Sequence, residues 1–177
     1  MNPFLKGKQI YLRAIALSDA TEDYVQWIND PEVTKGLVTG VYPSGIEELR
    51  DYIKSVISDN NTIMMAVCDH DDVHIGNIKL DRFDHIAKTA ELGLMIGNRN
   101  YWGKGIGSEM CELILKYAFK ELNLRKVSLT VYGNNLAAIK LYQKLGFIIE
   151  GTLKKHVFAE GDYHDKLWMS YFNPELL

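Results

Sequence analysis

A short glycine-rich segment near the middle of the chain has the composition of an anion-binding loop. It reads Tyr-Trp-Gly-Lys-Gly-Ile-Gly-Ser over residues 101–108, between a predicted strand and a predicted helix. Glycines in such a loop let successive backbone N–H groups turn toward one point, and the helix N-terminus adds its positive dipole end. The segment can therefore hold a pyrophosphate or a similar anion, although a tight strand-to-helix turn would also use these glycines.

Two common phosphate-binding motifs do not fit this loop. A P-loop requires Lys-Ser/Thr directly after its last glycine, and that pair is absent. A dinucleotide-binding fingerprint requires Gly or Ala where this chain has Ser108, and an acidic residue at the end of the next strand. That strand ends here in Val131-Tyr-Gly. The loop therefore favours a phosphate-bearing ligand of another kind.

Apolar periodicity predicts the elements that position the loop. The pattern indicates a first strand, two helices, three strands mostly joined by hairpins, a long helix, a strand, a short helix and a closing hairpin. In chain order these lie at about 10–15, 19–29, 44–57, 63–68, 74–80, 89–97, 105–122, 127–132, 135–145 and 147–172. Ser44, with Glu47 three residues on, predicts a capping box at the second helix. The order predicts a mixed α/β sheet rather than a doubly wound parallel one.

Composition narrows the class of protein. The 177 residues are 47% hydrophobic with a net charge of −3, which predicts one domain over residues 1–177 and no nucleic-acid partner. No apolar run is long enough to span a bilayer, so we expect no membrane partner and a cytoplasmic location. Cys68 and Cys111 are expected to be buried thiols. His70 and His74 are expected to be solvent-exposed loop residues, and no metal site is predicted.

Three segments together resemble a known family. Residues 90–97, 102–107 and 135–147 are similar to the two hallmark motifs of the GNAT acyltransferase superfamily. Residues 27–33 and 151–155 resemble the subgroup of ribosomal-protein N-terminal, spermidine and amino-sugar acetyltransferases. The resemblance implies a central, mostly antiparallel sheet of about seven strands with helices on both faces. It also implies that a homodimer can form.

The resemblance implies acetyl-CoA as the cosubstrate and assigns its contacts. Backbone N–H groups at Met95, Ile96 and Gly97 would pair with pantetheine and polarise the thioester carbonyl, and Asn135, a helix N-cap by its residue type, would also contact the cofactor. The pyrophosphate would lie on Trp102, Gly103, Lys104, Gly105, Ile106, Gly107 and Ser108. Trp102 replaces the Arg or Gln of the general motif, as is common in the subgroup, and this removes one side-chain contact to phosphate.

Glu91 is the candidate general base. Strand alternation places Glu91, Gly93 and Met95 on one face, and a carboxylate in so apolar a strand favours a functional role. An alkylammonium has a pKa of about 10.4, so an attacking amine must first lose a proton. The alternative is a strand-edge glutamate paired with a lysine such as Lys79.

Tyr142 is the candidate general acid, because it matches the tyrosine of the family motif. A phenol can donate a proton to the departing thiolate in a dry site. The alternative is a core aromatic, since Ala138, Ile139 and Leu145 complete an apolar stripe with it.

These residues predict an N-acetyltransferase whose primary-amine acceptor attacks the thioester directly. The acceptor stays open between a peptide N-terminus, a polyamine and an amino sugar. Its surface is expected from the first two helices, residues 30–43 and residues 155–165. The acids there are Glu32, Glu47, Glu48, Glu160 and Asp162, and for each of them a solvent-exposed surface position is the favoured interpretation. The alternative from another class is a catalytically silent acyl-CoA-binding regulatory module.

Overall fold

The structure, a computed structural model, describes residues 2–37 and 39–176 of the chain. The described residues form eight strands, which are β1 (Leu5–Lys6), β2 (Ile10–Ala14), β3 (Ile63–Asp69), β4 (His74–Asp84), β5 (Thr89–Ile96), β6 (Lys126–Tyr132), β7 (Ile148–Ala159) and β8 (Asp162–Phe172). They also form five α-helices, which are α1 (Glu22–Asn29), α2 (Pro31–Thr34), α3 (Ile46–Ser58), α4 (Ile106–Lys120) and α5 (Leu136–Leu145).

The strands form one sheet in the order β1-β2-β3-β4-β5-β6-β8-β7. The ladders β1–β2, β2–β3, β3–β4, β6–β8 and β7–β8 are antiparallel, and β5–β6 is parallel. The predicted mixed α/β, mostly antiparallel sheet is therefore confirmed. It has eight strands rather than about seven because the two residues of β1, too short to show alternation, pair with β2.

The chain packs into two compact units. The first comprises Met1–Asp81 and Gly93–Ile114, and the second comprises Arg82–Leu92 and Leu115–Leu177. The prediction of one domain over the whole chain stays a prediction. None of the described helices is long and apolar enough to cross a bilayer.

In the first unit, α1 and α3 cover one face of the sheet. Tyr24 of α1 and Leu49 of α3 are buried in one cluster with Met64 and Ala66 of β3. The predicted capping box of α3 is shifted by one residue. Gly45, not Ser44, is the N-cap, and its N–H donates to Oε2 of Glu48 at 3.1 Å.

A buried ion pair fixes the entry into α1. Arg13 of β2 donates from Nη1 and Nη2 to the carboxylate of Asp19, at 2.7 and 2.6 Å. Burial by itself would raise the pKa of Asp19, but the guanidinium and the N–H of Ala16 hold that pKa below its ordinary value. The pair therefore contributes stability above the unfolded pKa of about 3.9 and loses it as the pH falls through the lower folded value.

In the second unit, an aromatic cluster packs beside α5. The ring of Phe147 lies 5.5 Å from that of Tyr142 and 5.6 Å from that of Tyr171, and Tyr171 stacks on Phe119 of α4. The helix α5 has the predicted caps, Asn135 at its start and Gly146 with φ of +102° at its end. None of its residues is fully buried, so the helix lies half-exposed.

Candidate active site

The glycine loop leaves open space in front of its backbone. Gly103 and Gly105 have φ of +72° and +82°, a region that favours glycine. A Cβ built on either residue would meet no atom within 4 Å among the described residues. Residues 102–105 are exposed, and the buried side chain of Ile106 anchors the start of α4. The loop thus presents its backbone to an approaching ligand.

The start of α4 provides unpaired amides. Its first backbone hydrogen bond runs from the N–H of Glu109 to the carbonyl of Gly105 at 3.1 Å. The N–H groups of Ile106, Gly107 and Ser108 precede that bond and have no partner inside the helix. The pyrophosphate contact expected of them stays a prediction. The Ser108 hydroxyl donates to Glu112 at 3.2 Å, so this side chain is engaged within the helix.

Side chains from the first unit hold the loop in place. Nε1 of Trp102 donates to the carbonyl of Ile96 at 2.9 Å, which ties the loop to the end of β5. The hydroxyl of Tyr101 donates to the carboxylate of Asp69, and the ammonium of Lys104 lies 5.6 Å from the ring centroid of Tyr101. The indole of Trp102 therefore fixes the loop to the end of β5, at the position where the general motif has a phosphate-binding side chain.

The end of β5 is half-exposed although β5 lies inside the sheet. Ala90 and Leu92 are buried, whereas residues 93–96 are all partly open. Within the described residues, the parallel ladder with β6 ends at the pair Glu91–Ser128, while β5 continues to Ile96. The last residues of β5, including Met95 and Ile96, thus have backbone groups beyond the parallel ladder.

Gly97 follows β5 and has a packing role that the sequence did not indicate. Its N–H donates to the carbonyl of Ile75 at 3.0 Å, so this N–H is already engaged. A Cβ here would overlap the ring of Trp27. The glycine is therefore needed for the indole of α1 to lie against the strand end.

A cavity of about 360 Å³ opens beside the end of β5 in the same unit. Most of its wall is apolar and comes from Ile28, Leu37, Leu49, Met64, Leu94 and Met95. Tyr24 and Tyr52 add aromatic surface. A cavity of this size and character fits a small organic ligand.

The polar side chains of the cavity wall, besides the two tyrosine hydroxyls, belong to Thr39, Ser44, Glu48, Asn77 and Lys79. The carboxylate of Glu48 accepts the N–H of Gly45, and the ammonium of Lys79 pairs with Asp81. Residues of α1 and α3, together with Leu37 and Thr39, thus line the cavity. Of the acids named in the sequence analysis, Glu48 lies in its wall, and Glu47 instead pairs with Arg50 at 2.7 Å.

Asn77 of β4 also lines the cavity, and the sequence analysis did not single it out. It is 4% exposed, and its Nδ2 has no hydrogen-bond partner among residues 2–37 and 39–176. Its neighbour His74 was expected to be solvent-exposed, which is wrong. His74 is packed against Trp27 and Tyr24, with ring centroids at 5.1 and 5.8 Å, and burial lowers its pKa.

The predicted base lies in the second unit. Glu91 accepts from Nη1 of Arg82 at 3.0 Å, and its side chain is 22% exposed. The lysine suggested as an alternative partner, Lys79, pairs with Asp81 instead. Arg82 has a φ of +50° near the end of β4, and its own side chain is 72% exposed. The ion pair with Arg82 holds the side chain of Glu91 in place on β5 and leaves it partly exposed to solvent.

The predicted acid also lies in the second unit, on the half-buried face of α5. The carbonyl of Tyr142 accepts the N–H of Phe147 at 2.9 Å. Asn135 caps the same helix, since its Oδ1 accepts the N–H of Ala138 at 3.1 Å. The cradle residues and the end of β5 belong to the first unit, whereas Glu91, Asn135 and Tyr142 belong to the second.

The strands β5 and β6 pair in parallel, and the glycine-rich start of α4 lies between them in the chain. The model of the acetyltransferase (GNAT) domain family matches residues 9–148. The chain belongs to the GNAT acetyltransferase family.

Relatives and solved structures agree with this membership. Spermidine N(1)-acetyltransferase of Escherichia coli is 33% identical over 131 residues, covering 73% of this chain and 69% of its own. An uncharacterized N-acetyltransferase from the SPbeta prophage of Bacillus subtilis is 32% identical over 161 residues, covering 90% and 87%. The structure of spermidine N-acetyltransferase from Vibrio cholerae with CoA and spermine is 28% identical. It covers 94% of this chain and 96% of its own, with a TM-score of 0.86.

The protein is therefore an N-acetyltransferase of the GNAT type, and acetyl-CoA is its cosubstrate. The glycine loop has room for a phosphate group, because the space beside Gly103 and Gly105 holds no described atom within 4 Å of a built Cβ.

Proposed function

We propose that the protein transfers the acetyl group of acetyl-CoA to the primary amine of a small molecule or peptide N-terminus, and that the amine attacks the thioester directly. One observation carries this proposal. The half-exposed end of β5 borders an apolar cavity of about 360 Å³ through Leu94 and Met95, and the same strand end leads into the glycine loop. An acceptor in the cavity and pantetheine on the strand end would therefore both contact the end of β5.

The backbone of the first unit would bind and orient the cosubstrate. The amides of Gly103 to Ser108 would hold the pyrophosphate, and Lys104 would add a positive charge. Amides at Met95 and Ile96 would pair with pantetheine and stabilise the oxyanion, a contribution of about 3–4 kcal/mol per donor in other enzymes. The N–H of Gly97 already donates to the carbonyl of Ile75, so Gly97 would contact pantetheine through its own carbonyl.

Two side chains of the second unit would move protons. As the C–N bond forms and the C–S bond breaks, the amine proton would pass to Glu91, directly or through water. Tyr142 would give its proton to the departing thiolate, and Asn135 would contact the cofactor. Direct attack needs no acyl-enzyme. Both cysteines are fully buried, and burial raises the pKa of Cys68 and raises that of Cys111 to about 12, which makes either a poor nucleophile.

Screening an amine panel with acetyl-CoA, reading released thiol, tests the proposed function. The panel holds spermidine, glucosamine, amino-acid amides and short peptides with free N-termini. We expect release of CoA that depends on the amine and saturates with it. Release that is the same with and without every amine would contradict the proposal and favour the silent acyl-CoA-binding module.

Replacing Glu91 by glutamine is expected to lower turnover about tenfold to a hundredfold near pH 7 and to leave CoA affinity unchanged. A lost base matters most where the amine is protonated, so the deficit should shrink as the pH rises toward 9. Steady-state rates across this pH range, with CoA titrations of both proteins, measure the effect.

Arg82→Gln is the matched control for this experiment. It removes the partner of Glu91 at 3.0 Å and keeps the carboxylate. If Glu91 serves only to hold Arg82, both variants should behave alike. Loss of CoA binding in Glu91→Gln would likewise return Glu91 to a structural role. A homodimer and a cytoplasmic location stay predictions.

A further inference from the structure

The buried amide of Asn77 is the least expected group in the acceptor cavity. Asn77 lies on the same face of the sheet as the apolar core of the first unit, since it pairs with Ala66 of β3. A buried donor without a partner lowers stability, so such groups in folded proteins call for an explanation. Asn77 lines a ligand cavity, and a hydrogen bond to a ligand is such an explanation. Because Nδ2 itself has less than 1 Å² of accessible surface, a ligand reaches it only after the side chains that cover it shift.

The hydrogen bonds around His74 determine which atom of the amide is available. Nε2 of His74 lies 3.0 Å from the carbonyl of Gly76 and 3.1 Å from Oδ1 of Asn77. A carbonyl only accepts, so Nε2 carries the hydrogen, and the amide must turn its oxygen toward it. Exchanging the amide atoms would set two donors against each other. The group left over is therefore the donor Nδ2, and it requires an acceptor atom.

The rest of the wall limits what carries that acceptor atom. The wall is mostly aliphatic and aromatic, and an amino sugar would leave several hydroxyls unpaired against it. A protonated polyamine carries donors throughout. The cavity offers it one carboxylate, Glu48, which already accepts from Gly45, together with hydroxyls such as those of Thr39 and Ser44 and the repelling ammonium of Lys79. An amine with one oxygen and an apolar body matches both features.

We propose that Asn77 is a specificity-determining residue, and that its Nδ2 donates to an oxygen that the acceptor carries close to its amine, next to an apolar body. Both an apolar α-amino acid amide and the first residue of a peptide have an oxygen and an apolar side chain close to the amine. This inference rests on the proposed function and narrows its acceptor.

The test compares two amines in two proteins. Leucinamide and 3-methylbutylamine share an apolar body, and only leucinamide has the carboxamide. We expect their ratio of kcat/KM in the unaltered protein to exceed that in Asn77→Leu by about tenfold to a hundredfold, the size of a hydrogen bond to a buried donor. The different basicity of the two amines cancels, because both occur in each ratio.

Two further variants keep the test decisive. Asn77→Asp keeps an oxygen for His74 and replaces the donor by an acceptor, so it should also lose the preference for leucinamide. Tyr52→Phe removes another cavity hydroxyl, which already contacts Sδ of Met64 at 3.8 Å, and should keep the ratio. CoA affinity should be the same in all four proteins.

The outcomes separate this inference from the proposed function. Equal ratios in the unaltered protein and Asn77→Leu, with amines still acetylated, would overturn the role of Asn77 alone. Higher kcat/KM for spermidine than for leucinamide in the unaltered protein would do the same. If no amine is acetylated by any of the four proteins, the proposed function fails and this inference fails with it. A leucyl peptide beside leucinamide distinguishes a peptide acceptor from a free amino-acid derivative.

Discussion

Replacing Gly105 by valine is expected to abolish the stabilisation that CoA gives the protein. In the unaltered protein, CoA at a hundred times its Kd contributes about 2.7 kcal/mol, which raises the Tm of a chain of this size by about 5–10 °C. A valine at φ of +82° is strained by about 1–2 kcal/mol, and its side chain fills the space through which a phosphate approaches the backbone. Thermal unfolding with and without saturating CoA measures the loss.

Gly161→Val is a closely matched control. Gly161 also has a φ of +82°, and a Cβ built on it would also have no described residue within 4 Å, but it lies in the turn between β7 and β8. It should lower the Tm by a similar amount and keep the whole shift with CoA. If both valine variants keep the shift, the cradle lies elsewhere. If NAD shifts the unaltered protein as much as CoA does, the dinucleotide-binding interpretation returns.

Tyr142→Phe is expected to lower the chemical rate about 10²–10⁴-fold while both substrates still bind. A positioned acid contributes about that much, and the substitution removes only a hydroxyl. The ring that packs 5.5 Å from Phe147 stays, as does the backbone hydrogen bond from Phe147. Single-turnover kinetics isolates the chemical step from product release and gives the decisive number.

The same aromatic cluster provides the control for Tyr142. Tyr171 lies 5.6 Å from the ring of Phe147, on β8, so Tyr171→Phe removes a hydroxyl from the same surroundings. Its single-turnover rate should stay close to that of the unaltered protein. An unchanged rate in Tyr142→Phe would make Tyr142 a core aromatic and leave the thiolate to depart without this acid.

Features that depend on neighbours in sequence could be predicted. The caps of α5 are an example, because Asn135 bonds an amide three residues on and Gly146 adopts the left-handed conformation that ends a helix. The glycine loop is another, since its open backbone follows from the glycines themselves. Even here, boundaries shifted where two neighbouring residues suit the same position, as Ser44 and Gly45 do before α3.

Features that depend on distant residues could not be predicted. His74 looked like a loop residue because nothing in its neighbourhood reveals that Trp27 and Tyr24 of α1 bury it. Gly97 looked like part of the cofactor site, whereas Trp27 also requires it. The free donor of Asn77 depends on the tautomer of His74. The polar residues Asn77 and Lys79 alternate with Ile78 and Leu80, so the sequence pattern gives no sign that Asn77 is buried.

Transfer of a labelled acetyl group tests the central claim most directly. Acetyl-CoA carrying ¹³C in its acetyl carbonyl is incubated with the protein and an amine acceptor found in the panel, and the products are followed by NMR and mass spectrometry. We expect an amide in which the labelled carbon is bonded to the acceptor nitrogen, formed in an amount equal to that of free CoA, and formed more slowly by both Glu91→Gln and Tyr142→Phe. Label that ends only as acetate, or that stays on the protein, would contradict it.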